Sequence, residues 1–221
     1  MVDVRQVWQN PVFGAFGARV YDAVLDRPSF ARPVGRALWG CDTDRMYAAM
    51  DVVNQISHGA SILDLPVGGG VTLRRLDPYQ KVRYVAVDIS DNQLSAARRV
   101  AERHGLSEIE YVRADVVELP FADDEFDLVV TFAGLHCMPD PGAAIASLAR
   151  VLRPRGTVVG SCVVSGVSGR YDRQIQALGA FGVFGPPCTA DDLLGWLDTA
   201  GLSRDDFYCN GSLAQFVSMK R

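Results

Sequence analysis

The chain has 221 residues, of which 48% are hydrophobic and 22% charged, a length and composition typical of one generous globular domain. Its 22 basic and 26 acidic residues give a net charge of −4, which disfavours a protein that binds nucleic acid through a broad basic face. The 5 cysteines show no CxxC spacing and the 3 histidines form no HExxH or HxH pair, so we expect neither a disulfide framework nor a metal site. The sequence opens without a signal-like segment and contains no apolar run of about 18 residues, which favours a cytoplasmic protein without a membrane span.

The pattern of the sequence changes near residue 60. Before it, aromatic and charged residues recur at helix-like spacing; after it, short β-branched runs alternate with helical stretches. Such alternation is typical of a doubly wound, mostly parallel sheet with helices on both faces. We therefore expect a single α/β domain over residues 1–221 with a seven-stranded sheet. Its predicted parts are an N-terminal helical cap (1–58), a cofactor-binding core (60–165), and an acceptor-side segment with closing strands (166–221).

Seven short runs predict the strands of this sheet, at 61–65, 84–88, 109–113, 126–132, 156–164, 207–209 and 215–219. Helical patterns follow the early strands at 72–76, 91–104 and 141–152. Ser90 is a suitable N-cap for the second helix, and Gly105 is placed to end it. Because crossovers between parallel strands are right-handed, the loops after these strands meet at one edge of the sheet, where ligands bind.

The most specific motif is the segment SILDLPVGGG at residues 61–70, in which a predicted apolar strand is followed by a glycine-rich turn. Glycines allow a ligand to approach the main chain closely, and a helix behind the turn would offer free N–H groups. A dinucleotide site requires GxGxxG or GxGxxA, and counted from Gly68 the last position is Leu73, which breaks that pattern. Asp64, at the strand end, suits the partly cationic amino-acid end of S-adenosylmethionine instead.

Acidic residues also follow the second and third predicted strands. Asp88 is placed to accept both hydroxyls of a ribose, which is compatible with a dinucleotide or with S-adenosylmethionine. Asp115 is placed to accept a hydrogen bond from the exocyclic amine of adenine, with the Val116 backbone N–H beside it. The sequence therefore predicts an adenosine-containing cofactor.

Taken in order, these segments resemble the class I S-adenosylmethionine-dependent methyltransferases. They are most similar to the small-molecule methyltransferase type 11 group, which includes the ubiquinone/menaquinone-type C-methyltransferases. The resemblance covers about residues 60–165 and depends on six segments in register: ILDLPVGGG, VDIS, ADV, FDLVV, LHCMPD and LRPRG. It implies a Rossmann-like methyltransferase fold and S-adenosyl-L-methionine as the cofactor.

The resemblance also implies a role for particular residues in cofactor binding. Asp64 and the turn from Gly68 to Gly70 would meet the methionine end, Asp88 the ribose, Asp115 and Val116 the adenine. Ile89 would pack against the adenine face, and Phe132 and Ala133 would line the sulfonium side. Tyr21, in the N-terminal segment, resembles a tyrosine that closes over the methionine carboxylate.

One position departs from the family pattern inside the predicted site. Pro66 stands where the family usually has glycine. Proline fixes φ near about −65° and lacks an N–H donor, so we expect the turn to hold the amino-acid end of the cofactor with altered geometry. We include Pro66 among the predicted cofactor-binding residues.

The predicted function is the transfer of a methyl group to a small-molecule acceptor by in-line displacement, with proximity and alignment as the main catalytic effect. His136 is the candidate catalytic residue, as a base for a hydroxyl acceptor, and the alternative is a histidine that only packs in its loop. Two other functions stay open: a protein that binds S-adenosylmethionine without transferring methyl groups, and an NAD-dependent oxidoreductase. The sequence leaves open whether the protein is a monomer or a homodimer.

Two segments are expected to roof the acceptor pocket, residues 1–50 and residues 165–188. The second is rich in glycine and aromatic residues, among them Phe181 and Phe184. A flexible apolar lid of this kind would favour a hydrophobic or aromatic acceptor. The alternative is that these aromatic residues only hold the cap onto the sheet.

Overall fold

The computed structural model describes residues 4–10 and 28–221, apart from the side chains of residues 28 and 29. Seven strands form one sheet in the order β3-β2-β1-β4-β5-β7-β6. Every neighbouring pair is parallel except those of β7, which is antiparallel to both β5 and β6. The prediction of a mostly parallel seven-stranded sheet is confirmed. The strands are β1 Ser61–Asp64, β2 Arg83–Asp88, β3 Ile109–Arg113, β4 Phe126–Phe132, β5 Leu152–Val163, β6 Asp206–Asn210 and β7 Leu213–Met219.

Helices pack on both faces of this sheet, because its central strands are apolar on both sides. Ile62 of β1 belongs to one hydrophobic core, and its neighbour Leu63 points to the other. Such burial on both faces is expected of parallel strands. The α-helices in the described ranges are α1 Val4–Gln9, α2 Pro28–Trp39, α3 Asp44–Met50, α4 Asp91–Arg103, α5 Pro141–Val151, α6 Gly169–Ala180 and α7 Ala190–Thr199.

A third hydrophobic cluster joins the N-terminal helices to the sheet. Ala31 of α2 and Met46 of α3 pack in it with Ile175 of α6 and with Val163, the last residue of β5. Because parallel strands share their direction, this cluster lies at the carboxyl edge of the sheet, the edge at which ligands bind in such folds. An N-terminal helical cover at this edge agrees with the fold expected from the sequence. Tyr21, predicted to contact the cofactor, lies outside the described residues.

The predicted helix after the glycine turn is wrong in type. Residues 72–76 were expected to be α-helical, but the structure has only a 3₁₀ turn, Leu73–Arg75, and Leu76 is already extended with ψ 127°. Pro78 explains this, because proline disfavours a helical conformation at the residue before it and leaves too few positions for an α-helix. The site therefore has a tight turn in place of a helix N-terminus.

The fifth strand also begins earlier than its apolar pattern predicted. Leu152 already pairs with Phe126, and regular pairing resumes with Thr157 opposite Leu128. The residues between them bulge out of the ladder, with Arg155 at a φ of +65°. In the part of the chain that the structure describes, no helix is both long enough and apolar enough to span a membrane.

Candidate functional site

A cavity opens at the carboxyl edge of the sheet, beside the ends of β1, β2 and β4. Its floor and one end consist of the turn after β1 and the loops after β2 and β3. Its other end is covered by apolar side chains of α1, α3 and the loop after α6. The predicted site residues that line it are Pro66, Gly68, Asp88, Ile89, Asp115, Val116, Phe132, Ala133 and His136.

Asp88 is a buried polar group of this cavity with two backbone partners. Its side chain is only 6% exposed and lies at the end of β2. Its Oδ2 accepts a hydrogen bond from Gly68 N at 3.0 Å, and its Oδ1 accepts one from Ser90 N at 2.9 Å. These two bonds hold the carboxylate between the glycine turn and the loop after β2, and Asp88 lines the cavity.

The glycine turn presents an open backbone to the cavity. Gly68 adopts a φ of +52°, which favours glycine, and no atom lies within 4 Å of the position that a β-carbon would occupy there. Gly70 has a φ of +83°, but its β-carbon position faces Ala97 Cα of α4 at 3.2 Å. Gly68 thus belongs to the cavity wall, whereas Gly70 lets the turn pack against α4.

Asp64 is the last residue of β1 and is buried. It is 1% exposed and accepts a hydrogen bond from Tyr84 Oη at 2.7 Å. Burial raises the pKa of Asp64 to about 7, the Tyr84 hydrogen bond opposes this shift, and the negative charge of Asp88 adds to it. The cofactor-binding roles of Asp64 and Gly70 remain predictions, and neither residue is among the described residues that line the cavity.

Asp115 has contacts that the sequence did not indicate. Its Oδ1 accepts from Val117 N at 3.1 Å, and its Oδ2 forms an ion pair with Arg5 Nε at 2.6 Å. Arg5 lies on α1, and Trp8 of the same helix donates from Nε1 to the Val183 carbonyl at 3.1 Å. The short helix α1 is therefore attached to both ends of the cavity. Sequence reasoning missed Arg5 as a site residue because no local pattern couples it to Asp115.

His136 is buried beside the cavity and is held in a defined orientation. It is 5% exposed, its Nδ1 accepts a hydrogen bond from Val163 N at 3.2 Å, and its ring meets the Phe184 ring edge-on at 4.4 Å between centroids. Burial lowers the pKa of His136 to about 3, so the imidazole is neutral at physiological pH. Its predicted role as a base remains a prediction, although one nitrogen is occupied by the backbone.

The acceptor-side segment, expected to act as a flexible apolar lid, contains regular structure, and its role as a lid remains a prediction. Much of it is helix α6, and Phe181 just beyond that helix is 74% exposed. Val183 and Phe184 do line the cavity, and Phe184 stacks on Trp39 of α2 with centroids 5.7 Å apart. The aromatic residues of this segment therefore divide between the cavity wall and the protein surface.

This sheet order, with a glycine turn facing an acidic residue at the end of the second strand, is that of the class I methyltransferase fold. A family model described as a methyltransferase domain matches residues 63–160. Residues 63–160 are thus a methyltransferase domain, and over this part of the chain the predicted resemblance to the class I S-adenosylmethionine-dependent methyltransferases and their cofactor is confirmed.

A demethylmenaquinone methyltransferase of Clavibacter sepedonicus is 35% identical over 138 residues, which are 62% of this chain and 52% of that protein. The chain therefore spans about half the length of this curated relative. Two solved structures share the fold at lower identity. A SAM-dependent methyltransferase from Aquifex aeolicus superposes with a TM-score of 0.65 and 16% identity over 94% of this chain and 98% of the other. The cyclase SpnF does so with a TM-score of 0.67 and 20% identity over 81% of each chain.

Proposed function

We propose that the protein transfers a methyl group from S-adenosylmethionine to a small molecule with a hydrophobic or aromatic body. The observation that carries this proposal is a single cavity with two unlike ends. At one end lie Asp88 and the glycine turn, and at the other lie apolar side chains that include Trp8, Met50 and Phe184. A polar cofactor and an apolar acceptor can meet in such a cavity.

The polar end has the donors and acceptors that an adenosine-containing sulfonium compound requires. Asp88 would accept from the ribose hydroxyls, since it lines the cavity and a carboxylate oxygen can accept more than one hydrogen bond. Gly68 would allow close approach to the backbone, because the space above it is open. Ile89 and Val116 would provide apolar contacts to the adenine. Asp115 would share its acceptor capacity between Arg5 and the adenine amine.

The reaction makes modest chemical demands on the protein. S-adenosylmethionine supplies a methyl group on a positively charged sulfur, which is already a good leaving group. The side chains would therefore act chiefly by positioning the cofactor and the acceptor. Asp88 and the glycine turn form one end of the cavity, and α1 covers the cavity through Arg5 and Trp8. The apolar wall around Phe132 and Phe184 would exclude water from the space between the cofactor and the methyl acceptor.

The comparisons support an acceptor of this type. The name of the relative demethylmenaquinone methyltransferase indicates a quinone acceptor with an apolar body. The apolar end of the cavity in this chain is consistent with an acceptor of the same chemical class. The acceptor of this chain is part of the proposal.

A second candidate is a protein that binds the cofactor without transferring its methyl group. Two observations favour it: Pro66 fills the position of a glycine in the turn, and Arg5 already occupies one oxygen of Asp115. The fold is also shared by the cyclase SpnF. The third possibility, an NAD-dependent oxidoreductase, is disfavoured because Leu73 is fully buried in the core where the dinucleotide pattern needs a small residue.

Calorimetric titration separates these functions. We expect S-adenosylmethionine and S-adenosylhomocysteine to bind with one site per chain, and NAD not to bind. Incubation with S-adenosylmethionine tritiated in the methyl group, over a panel of phenols, quinols and carboxylic acids, then tests transfer to an extractable product. Binding without transfer across the panel would favour the second candidate. No heat with either sulfur compound would overturn both.

A further inference from the structure

Among the residues that the structure describes, two rings with an N–H, those of Trp8 and His136, line the apolar end of the cavity. This acceptor end is lined by Trp8, Met46, Met50, His136, Val183 and Phe184. The indole N–H of Trp8 is already used, because it donates to the Val183 carbonyl. Methionine, valine and phenylalanine side chains offer no N–H or O–H donor. Within this described set, His136 is therefore the remaining ring that can form a hydrogen bond with a ligand.

The hydrogen bond at Nδ1 fixes the tautomer of this histidine. A neutral imidazole has one N–H donor and one lone-pair acceptor. Val163 N donates to Nδ1 at 3.2 Å, so Nδ1 is the acceptor and the proton lies on Nε2. Burial keeps the ring neutral, because it lowers the pKa of His136 to about 3. Nε2–H is therefore the donor of the ring, since the backbone N–H of Val163 in β5 can donate a hydrogen bond but cannot accept one.

The proton on Nε2 is available for a ligand. Among residues 4–10 and 28–221, none accepts a hydrogen bond from Nε2. The atom is also not fully enclosed by the described protein atoms, so a ligand can reach it. The Phe184 ring, 4.4 Å away between centroids, limits rotation of the imidazole. A donor held in this way costs little entropy when it binds, and a bound molecule that leaves it unpaired would incur a desolvation penalty.

We propose that His136 is a specificity-determining residue whose Nε2–H donates a hydrogen bond to a lone pair on the acceptor molecule. The acceptor is therefore an apolar body with a carbonyl, ether or phenolic oxygen, in contrast to a pure hydrocarbon or a cation. This inference rests on the proposed function, because it assigns this end of the cavity to the methyl acceptor. In this role His136 orients the acceptor and removes no proton from it.

The test uses two probes of the same shape, 1-indanone and indane, which differ in one carbonyl oxygen. Their affinities are measured by ligand-observed NMR titration, with and without S-adenosylhomocysteine. We expect wild-type protein to bind 1-indanone roughly threefold to tenfold more tightly than indane, as is typical of one added hydrogen bond. Equal affinities would overturn the proposal.

Two substitutions separate the two nitrogens of the ring. His136→Asn places an acceptor at the reach of Nδ1 for Val163 N and has no donor at the reach of Nε2. His136→Gln places an amide donor at the reach of Nε2. The preference for 1-indanone should disappear in His136→Asn and persist in His136→Gln. Cys137→Ala is the matched control, because Cys137 lines the same cavity and is a weak donor at most, and it should keep the preference.

A measurement on wild-type protein does not depend on whether the variants fold. The chain has only 3 histidines, so their ring nitrogens can be resolved in ¹⁵N–¹H spectra. We expect His136 to show a protonated Nε2 and an unprotonated Nδ1, with Nε2 shifting on addition of 1-indanone but not of indane. A proton on Nδ1, or retention of the preference in a folded His136→Asn variant, would contradict the inference.

The failure of this inference can be distinguished from failure of the proposed function. If S-adenosylhomocysteine binds but 1-indanone and indane bind with equal affinity, the cofactor assignment is supported and the proposed role of His136 is contradicted. If S-adenosylhomocysteine does not bind, the proposed function falls. The probe comparison without S-adenosylhomocysteine still reports on His136 in that case.

Discussion

The ring of Pro66 lies directly against the backbone of Gly134. A β-carbon added at Gly134 would overlap Cδ and Cγ of the proline. Pro66 follows β1 and Gly134 follows β4, so this contact joins two neighbouring loops at the floor of the cavity. The unusual proline in the glycine turn is therefore accommodated by the absence of a side chain on the adjacent loop.

This contact predicts that Gly134→Ala is destabilising. The backbone at Gly134, with φ −107° and ψ −40°, is accessible to alanine, so the cost comes from the overlap alone. We expect a loss of about 1–3 kcal/mol in the free energy of unfolding, the usual cost of overpacking. Chemical denaturation measures it. The double variant Pro66→Gly/Gly134→Ala should recover part of the loss, since the clash needs both side chains.

The matched control for this experiment is Gly169→Ala. No atom lies within 4 Å of its β-carbon position at the start of α6. We expect this variant to unfold at the same denaturant concentration as the wild type, or slightly above it. The described packing would be contradicted if Gly134→Ala were as stable as the wild type, or if the double variant were as unstable as Gly134→Ala alone.

Substitution of Asp88 should weaken cofactor binding without unfolding the protein. Asp88→Asn keeps one oxygen acceptor for the loop N–H groups but removes the negative charge that we expect to hold the ribose. The loss of a charge-assisted hydrogen bond predicts a decrease of roughly 1–3 kcal/mol in the binding free energy of S-adenosylhomocysteine, measured by calorimetry. Asp205→Asn changes an exposed acid beside β6 and serves as the control. Equal affinities in the two variants would refute the assignment of Asp88.

The raised pKa of Asp64 predicts a particular dependence of stability on pH. In the folded protein Asp64 faces Tyr84 and Asp88 and keeps its proton up to a pKa of about 7, whereas the ordinary value is 3.8. Between these values the folded state binds one proton more than the unfolded state, so this group's contribution to stability is lost as pH rises through that interval. Urea unfolding of the wild type and Asp64→Asn at about pH 5 and about pH 8 tests this. The wild type should lose stability relative to Asp64→Asn at the higher pH; parallel behaviour of the two proteins would contradict it.

Trp8 should report ligand binding by its fluorescence. It lines the cavity and donates to the Val183 carbonyl, so a molecule entering beneath α1 changes its surroundings. We expect S-adenosylhomocysteine to alter the tryptophan emission of the wild type and of Trp196→Phe, because Trp196 packs against Gly142 of α5. The change should be much smaller in Trp8→Phe. An undiminished change in Trp8→Phe would show that α1 does not cover the ligand.

The sequence predicts the fold well where local chemistry decides the structure. The end of β2 at Asp88 follows from a buried apolar run, and Gly105 ends α4 with a φ of +70° as its C′ position requires. The site residues at strand ends come together because parallel strands end at one edge. The apolar spacing of residues 72–76 does not distinguish an α-helix from the short turn Leu73–Arg75, and Pro78 leaves too few positions for a helix.

Contacts between distant segments leave no such local signal. Trp8 and Val183 are separated by 175 positions, and their hydrogen bond depends on how α1 packs across the sheet edge. The pairing of Arg5 with Asp115 and the protonation of His136 likewise depend on tertiary surroundings. From the sequence, His136 is a titratable residue of ordinary pKa, and burial together with the backbone of Val163 makes it a neutral ring.

A crystal structure of the protein with S-adenosylhomocysteine would show where the cofactor binds. We expect the ligand to occupy the cavity at the carboxyl edge of β1, β2 and β4, with both ribose hydroxyls within hydrogen-bond distance of the Asp88 carboxylate. Its sulfur should face Phe132 and the acceptor end of the cavity. A ligand bound elsewhere on the chain, or a ribose without contact to Asp88, would contradict it.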